Sequence, residues 1–421
     1  MNTPKASPYR YYGWVIALVS TICIVASIPG QTAGVSVFTD HLMTAYGLSR
    51  TKLSFAYLLG TISSALLLPR AGRTLDRIGP QKMILAAAVG LSLSLFFLAN
   101  APIALGLKSE LASLASITVC FLGIRHFGQG QLTLISRTVL GRFFRQYLGT
   151  VNGAMGVIVA FAFGIAPMAL TGLVGIFGWQ KGMVLLMAGA LLAGLLGFLF
   201  FRESPEKIHI KMEEGLPEKK LRHKAYNPNN IDLPSARKTW VFWLFNLGMA
   251  LQGGIITALT FHFTGICKEL GLEPATAFGI FLPMAIVSTV CNIIAGISAD
   301  RFPLRSLLLL KCLALSLTPL VTPHLQETWG YTICWLGFGL SGGLFTCLVS
   351  VAWPKIFGRT YLGAISGYSL SWIVMSSAVC PYAVSLLGDL VGSLTIALSY
   401  LALLPGILCL FICLKWRLIK S

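Results

Sequence analysis

The chain has 421 residues, of which 56% are hydrophobic and only 11% are charged, and its mean hydropathy is +0.78. A soluble domain carries roughly 25% charged residues, so this composition excludes an ordinary soluble protein. The formal net charge of +18 does not indicate nucleic-acid binding, because most cations lie in loops between apolar runs and form no basic stripe interleaved with aromatic residues. The sequence predicts an all-α integral membrane protein.

The N-terminal segment carries Lys5 and Arg10 before a long apolar run. No small-residue cleavage site follows, and the run is too long for the core of a signal peptide, so we expect a retained first helix. Ten cysteines occur without a C-x-x-C pair. The sequence therefore predicts no metal site and no cofactor.

Twelve apolar runs follow one another along the chain, and runs of about 20 residues cross a bilayer core of about 30 Å as helices. The first six are predicted at Gly13–Val37, Leu53–Leu68, Met83–Ala99, Leu114–Ile135, Gly149–Leu173 and Met183–Phe201. The second six are predicted at Thr239–Phe263, Thr276–Ala299, Ser306–Thr322, Tyr331–Ala352, Gly363–Leu387 and Gly392–Leu414. This pattern divides the chain into an N-terminal six-helix half (1–201), a cytoplasmic connecting loop (202–238) and a C-terminal six-helix half (239–421).

Lysine and arginine segregate between the two sides of the predicted bundle. With both termini on one side, that side receives 26 of the 32 cations and the other side receives five, which leaves Arg125 as the only cation inside a span. Cytoplasmic loops carry the excess of positive charge. We therefore expect both termini and the connecting loop to be cytoplasmic, in a plasma membrane such as the bacterial inner membrane.

The two halves repeat each other. Gly72, Asp76 and Arg77 recur 224 residues later as Gly296, Asp300 and Arg301, and Gly149 recurs 214 residues later as Gly363 within a longer shared motif. Each repeat contains six spans, an even number, so the halves share one orientation and form a parallel 6+6 repeat. Parallel repeats place a substrate site near the membrane midplane, and their rocking exposes it to alternate sides.

The loop Gly72-Arg73-Thr74-Leu75-Asp76-Arg77-Ile78-Gly79-Pro80-Gln81-Lys82 resembles the G-x-x-x-D-R-x-G-x-x-K motif of the major facilitator superfamily. The resemblance implies the major facilitator fold and a transport function. It also implies a cytoplasmic gate, with Asp76 at a helix N-terminus and Arg77 paired with a carboxylate or a carbonyl. The gate residues are Gly72, Asp76, Arg77, Gly79, Asp300 and Arg301. Alternatively, these charges only mark tight turns and meet the cytoplasmic charge bias.

A narrower resemblance concerns three other motifs. The segments Tyr12-Gly13-Trp14, Arg125-x-x-Gly128-Gln129-Gly130 and Arg142-Phe143-Phe144-Arg145 are similar to the monocarboxylate and oxalate–formate branch of that superfamily. The branch's anion-binding cations in the first, eighth and eleventh spans have no counterpart here. The resemblance therefore implies a monocarboxylate-like substrate without identifying its ligands.

Arg125 lies about 12 residues from Arg137 at the predicted cytoplasmic end, a depth of about 18 Å. Thr118, Arg125, Gln129 and Ser136 recur at α-helical spacing and predict one polar stripe. An intramembrane arginine is costly and is normally kept for function, and its planar fork suits a carboxylate or phosphate. The alternative is that Arg125 bonds groups on neighbouring helices and only fixes packing or coupling.

Other polar residues within the spans are candidates for the same site. His126 is the proton-coupling candidate, because a histidine exchanges a proton near neutral pH; its alternative is a hydrogen-bonded structural role. The further substrate-binding candidates are Gln31, Gln129, Asn246, Asn292, Tyr368 and Trp372. Polar side chains between helices often serve only to hold helices together.

The predicted function is secondary active transport of a small organic anion by alternating access, driven by proton symport or anion exchange. One alternative is an exporter of a neutral or amphiphilic molecule, and another is a solute sensor that does not transport. No phosphate-binding glycine motif indicates an ATP-driven pump, and no buried acid or nucleophile–base set indicates an enzyme. The expected partners are the substrate and the lipid bilayer, with no nucleic acid, and the protein is expected to be a monomer.

Overall fold

A computed structural model describes residues 12–104, 106, 109–208, 230–272 and 278–414. Every regular element in these ranges is helical. Most of the predicted connecting loop falls on 209–229 and lies outside the described residues. The cations Lys5, Arg10, Lys108, Lys415, Arg417 and Lys420 also lie outside them.

The helices follow the predicted spans closely. In the N-terminal part they are α1 Tyr12–Val25, α2 Thr32–Tyr46, α3 Arg50–Ile78, α4 Pro80–Ala104, α5 Glu110–Gly123, α6 Thr133–Phe143, α7 Leu148–Phe177 and α8 Trp179–Phe200. In the C-terminal part they are α9 Leu233–Arg237, α10 Trp240–Glu269, α11 Phe281–Ala299, α12 Leu304–Leu320, α13 Thr328–Phe357, α14 Leu362–Val391, α15 Leu394–Tyr400 and α16 Leu403–Leu414.

Among the described residues, ten helical segments are long and apolar enough to cross a membrane. They coincide with every predicted span except the first and the ninth. The first is interrupted between α1 and α2, and the ninth, α12, has 17 residues. With these two, the helices account for all twelve predicted spans, and the predicted all-α membrane fold is confirmed.

The first span is not the continuous helix that was predicted. A 3₁₀ turn at Ile28–Gly30 separates α1 from α2, and Gln31 is extended with φ −89° and ψ 157°. Pro29 has no N–H, and within an α-helix its ring would clash with the carbonyl four residues earlier. We call residues 26–31 the α1–α2 break.

A second correction concerns Lys311, which the charge count assigned to the cytoplasmic side. Lys311 is 0% exposed, seven residues into α12, which corresponds to about 10 Å along the helix. Its Nζ donates a hydrogen bond to the carbonyl oxygen of Gly248 on α10. Lys311 is therefore a second buried cation inside a predicted span, besides Arg125.

The described chain forms two compact units. Unit 1 contains the described residues up to Arg145, those between Ile158 and Glu218, and Tyr361–Ser371. Unit 2 contains Gln146–Val157, the described residues between Lys219 and Thr360, and those from Trp372 onward. The first turns of α7 thus belong to unit 2 and those of α14 to unit 1, an exchange between the predicted halves.

Candidate functional site

The segment that carries Arg125 is a π-helix. Residues Ile124–Leu132 join α5 to α6 with π-helical geometry, and His126 Nε2 lies 2.9 Å from Gln131 Nε2, five residues further on. The α-helical spacing assumed for the stripe from Thr118 to Ser136 does not apply across this segment. π-helical insertions are rare and are frequently found at functional sites.

The π segment packs directly on the α1–α2 break, within unit 1. A methyl group on Gly30 would overlap the carbonyl oxygen of Ile124 and lie 2.8 Å from Gly128 Cα and Gln129 N. A methyl group on Gly128 would lie 2.9 Å from Gly30 Cα. The two irregular backbones meet so closely that only glycine fits at either position.

Arg125 is held at this contact. Its side chain is buried, with the residue 3% exposed, and Nη1 donates a hydrogen bond of 3.1 Å to the carbonyl oxygen of Gly30. Its Cζ lies 5.1 Å from the centroid of the Tyr57 ring, within cation–π range. Nε has no hydrogen-bond partner, and no carboxylate of the described residues forms an ion pair with Arg125.

Three residues of this site were not predicted from the sequence. They are Gly30, Tyr57 and Thr32. Gly30 supplies the acceptor for Arg125, and Tyr57 supplies the aromatic face. Thr32 Oγ1 lies 3.0 Å from the Tyr57 hydroxyl. Tyr57 also packs edge-on against Phe121, with ring centroids 5.3 Å apart. The available signal was the Ile28-Pro29-Gly30 sequence in the middle of the first span.

The structure places four predicted residues in this region of unit 1. Arg125, His126 and Gln129 lie on the π segment, and Gln31 lies in the break, where its Nε2 donates to Ser27 Oγ at 3.1 Å. His126 Nδ1 is buried without a partner. Tyr368 also belongs to unit 1, on the N-terminal part of α14.

Asn246, Asn292 and Trp372 belong to unit 2, whereas Arg125 belongs to unit 1. Both amide atoms of Asn246 and the Oδ1 of Asn292 are buried without partners. Gln252 donates to Ser341 Oγ at 3.2 Å, but its Oε1 is unpaired. Each unpaired buried polar group costs about 1–3 kcal/mol. These amide atoms therefore have hydrogen-bonding capacity that the described protein groups do not satisfy.

Trp372 makes an aromatic contact within unit 2. It is 36% exposed and packs edge-on against Trp243, with ring centroids 5.4 Å apart.

Asp76 lies at a helix N-terminus in unit 1. Its carboxylate accepts hydrogen bonds from the backbone N–H groups of Gly363 and Ala364, at 2.9 and 2.7 Å, in the first turn of α14. Arg142 Nη2 completes the cluster at 2.6 Å. Backbone donors and the helix dipole both favour an anion at this position.

Asp300 makes the equivalent contacts in unit 2. Its carboxylate accepts from the backbone N–H groups of Gly149 and Thr150, at 3.0 and 2.9 Å, in the first turn of α7. Lys355 Nζ lies 3.0 Å from Asp300 Oδ1. Each copy of the loop motif therefore binds the helix N-terminus that belongs to the other sequence repeat.

The cations in these clusters differ from the predicted ones. Arg77 and Arg301 are exposed, and Arg142 and Lys355 pair with the aspartates instead. The motif glycines serve close packing, since a methyl group on Gly72 would overlap the carbonyl oxygen of Gly363, and one on Gly296 that of Gly149. Gly79 ends α3 with φ +83°, a conformation that favours glycine.

A third carboxylate, that of Glu269 at the C-terminal end of α10, caps the start of another helix. Glu269 accepts hydrogen bonds from Ser393 Oγ, from Leu394 N at 2.8 Å and from Thr395 Oγ1 at 2.8 Å, at the start of α15. Partial burial raises the pKa of Glu269, but hydrogen bonds from Ser393, Leu394 and Thr395 outweigh it and hold the pKa below its usual value.

Comparison with known families gives one extended match. The sequence model of the Major Facilitator Superfamily matches residues 19–381. No curated protein sequence matches the chain significantly.

Comparison with solved structures shows the same fold. A bacterial homologue of the iron transporter ferroportin, outward-facing with soaked iron, is 16% identical with a TM-score of 0.69 and covers 96% of this chain and 99% of its own. The proton:xylose symporter XylE is 14% identical, with a TM-score of 0.66 and coverage of 97% and 96%. The human organic anion transporter MFSD10 is 16% identical, with a TM-score of 0.59 and coverage of 96% and 99%.

Proposed function

The chain belongs to the Major Facilitator Superfamily, and we propose from this premise that it is a secondary active transporter of a small organic anion. It works by alternating access, driven by proton symport or anion exchange. The substrate resembles a monocarboxylate. The protein is a monomer in a plasma membrane, with both termini in the cytoplasm.

The buried guanidinium of Arg125 carries the proposal. An ion buried in a protein costs several kcal/mol unless other groups compensate for lost hydration. Arg125 is compensated by a carbonyl and an aromatic ring, both neutral, and its Nε remains unpaired. A substrate carboxylate would supply the missing negative charge and an acceptor for Nε.

The surrounding backbone supports this role. Discontinuous helices in transporters commonly lie at binding sites for substrates and coupling ions, and the α1–α2 break provides one such discontinuity beside Arg125. A π segment at the same place is a second irregular element. One solved structure with this fold is that of the human organic anion transporter MFSD10.

A neutral solute is the second candidate. The unpaired buried amides of Asn246, Gln252 and Asn292 match a substrate that offers hydroxyl groups rather than charge. The XylE structure holds 6-bromo-6-deoxy-D-glucose. In this case Arg125 serves only to fix the α1–α2 break against the π segment.

The Asp76 and Asp300 clusters are proposed to be cytoplasmic latches. Each joins the end of one helix to the start of another through charge-assisted hydrogen bonds, which contribute about 1.5–3 kcal/mol each. Bonds of this strength are suited to a gate that closes firmly and still opens during a transport cycle.

A binding experiment on purified protein separates the two candidates. Thermal shift is measured with acetate, lactate, oxalate and succinate, and with xylose and glucose as neutral solutes, because a ligand that binds the folded state raises the Tm. Wild type is expected to respond to a carboxylate. Arg125→Lys keeps the charge but loses the planar fork, so we expect roughly tenfold weaker binding, and Arg125→Gln should bind more weakly still.

The exposed Arg73 provides a matched control, since Arg73→Gln removes an equal charge from the protein surface. Normal carboxylate affinity in a folded Arg125→Gln variant would refute the anion site. A response to the sugars alone would favour the neutral-solute candidate.

A further inference from the structure

Among the described residues of unit 2, Lys311 is the most deeply buried amine. It is 0% exposed, and its Nζ donates to the carbonyl oxygen of Gly248. A methyl group on Gly248 would lie 2.9 Å from Leu308 Cδ1 and 3.6 Å from Cys312 Sγ. The absence of a side chain at Gly248 therefore lets α12 approach α10 closely enough for the amine to reach the backbone.

The charged groups around Lys311 are few. The elements that pack against α12 are α10, α11, α13, α15, α16 and the turn Thr322–His324. The titratable groups that act on the amine are two thiols, Cys312 on α12 and Cys409 on α16. In the described part of the chain, no carboxylate forms an ion pair with Lys311.

The other titratable groups on these elements lie further away or are engaged. On α10, His262, Lys268 and Glu269 follow Gly248 by 14 residues or more, which is about 21 Å along a helix. On α13, Lys355 bonds Asp300. The remaining groups are Cys267 on α10, Cys291 on α11, Arg305 at the start of α12, His324 in the turn, Tyr331, Cys334 and Cys347 on α13, Tyr400 on α15 and Cys413 on α16.

We propose that Lys311 is the group that carries the coupling proton, held between α12 and the carbonyl of Gly248. This inference rests on the proposed transport function and makes proton coupling, rather than anion exchange, its driving force. An amine in a dry interior without a counter-charge can exchange its proton, whereas a guanidinium stays charged. Arg125 is therefore suited to hold an anion, and Lys311 to load and unload a proton.

The proton transfer requires no other reactant than water. The ammonium form donates one N–H to the carbonyl of Gly248 and releases one proton to water on one side of the membrane. The neutral amine that remains still has two N–H bonds and keeps the same acceptor. Uptake of a proton from water on the other side restores the ammonium, so one proton crosses per cycle and no electrons are transferred.

The test follows the protein without substrate, because a coupling proton must bind two conformations unequally. Spin labels are placed at Ile78→Cys and Tyr361→Cys, two exposed positions of unit 1 beside the Asp76 cluster, in a Cys413→Ser background. Their separation is measured by double electron–electron resonance between about pH 5.5 and 9, a range in which a buried amine can titrate. The variants are Lys311→Met and Lys311→Arg, with His126→Gln as the rival carrier.

Ser316→Ala is the matched control, since Ser316 Oγ on the same helix also donates to a backbone carbonyl, that of Ala402 at 2.9 Å, but carries no proton. The label pair should show two separations, one for each conformation. We expect the ratio of the populations with these two separations to change at least about threefold with pH in wild type, His126→Gln and Ser316→Ala. Both Lys311 variants should abolish this change while keeping a folded-state Tm transition.

Three results would overturn the proposal. They are a wild type without pH response, a Lys311 variant that keeps the full response, and unfolding of both Lys311 variants, which would give the amine a structural role. The carboxylate screen with the Arg125 variants is independent of this measurement. A failed screen alongside a pH response that depends on Lys311 would therefore reject the substrate class and retain the proton carrier.

Discussion

The Asp76 cluster allows a prediction at the level of individual amides. Asp76→Asn replaces a carboxylate that accepts two backbone N–H groups and an Arg142 ion pair with a neutral amide. The carbonyl oxygen of the asparagine can replace one of the two carboxylate oxygens as an acceptor. Its NH₂ group takes the place of the other oxygen and cannot accept from the N–H donors there. Loss of about one charge-assisted hydrogen bond amounts to about 2 kcal/mol, and 1.4 kcal/mol corresponds to a factor of ten in an equilibrium. The first turn of α14 should therefore open about 30-fold more often.

Hydrogen exchange followed by mass spectrometry measures this opening. Exchange at Gly363 and Ala364 should accelerate by about that factor, while the amides of Gly149 and Thr150 should be unaffected. Asp300→Asn should give the reciprocal pattern, with faster exchange at the start of α7 only.

A surface aspartate serves as the control. Asp232 also caps a helix, through a hydrogen bond from Ser235 N of 3.1 Å, but it lies outside both clusters, so Asp232→Asn should change neither site. Unchanged exchange at Gly363 in Asp76→Asn would show that the carboxylate does not hold this helix. The latch interpretation would then be rejected.

Three further predictions concern other parts of the molecule. Gly30→Ala should lower the Tm by several degrees, because its methyl group overlaps the π segment; Gly164→Ala, where the methyl group meets open space, should leave the Tm nearly unchanged. Because the folded-state pKa of Glu269 is depressed, its stabilising effect is present above the unfolded-state value near 4.5 and is lost as the pH falls through the lower folded-state pKa. Glu269→Gln should remove that acid-dependent part of the Tm profile, and an identical profile would contradict the capping role. A cysteine at Lys268 should react with an impermeant reagent on intact cells, whereas one at Lys220 should react only after permeabilisation; the opposite result would reverse the proposed orientation.

The membrane fold was predictable because it depends on composition summed over long windows. Each run such as Gly149–Leu173 has no alternative to a helix in lipid, where backbone groups must be satisfied internally. The family resemblance implied a position at a helix N-terminus for Asp76, and in the structure its carboxylate accepts backbone N–H groups at the start of α14. The identity of that helix was not predictable, because it lies in the other sequence repeat.

The features that were missed depend on single positions. Pro29 and Gly30 fall inside the first predicted span, Gly13–Val37, yet they interrupt it and Gly30 supplies the acceptor for Arg125. Lys311 was assigned to the cytoplasmic side because it lies near the start of a span, whereas its burial depends on the absence of a side chain at Gly248 on another helix. Neither contact follows from the periodicity of one segment.

The crossed pairing of the two loop motifs has a consequence for biosynthesis. The residue that donates to Asp76 from α14 follows it by 287 residues, whereas Arg142 follows by only 66. At about 5–20 residues per second, the ribosome produces Arg142 within about 3–13 s of Asp76, but Gly363 only after about 14–57 s. The ion pair is therefore available to neutralise the carboxylate during insertion. For α7 the order is reversed, because its first turn is made before Asp300, which follows Gly149 by 151 residues. The start of α7 is therefore not capped by Asp300 in a nascent chain that ends before the eighth span.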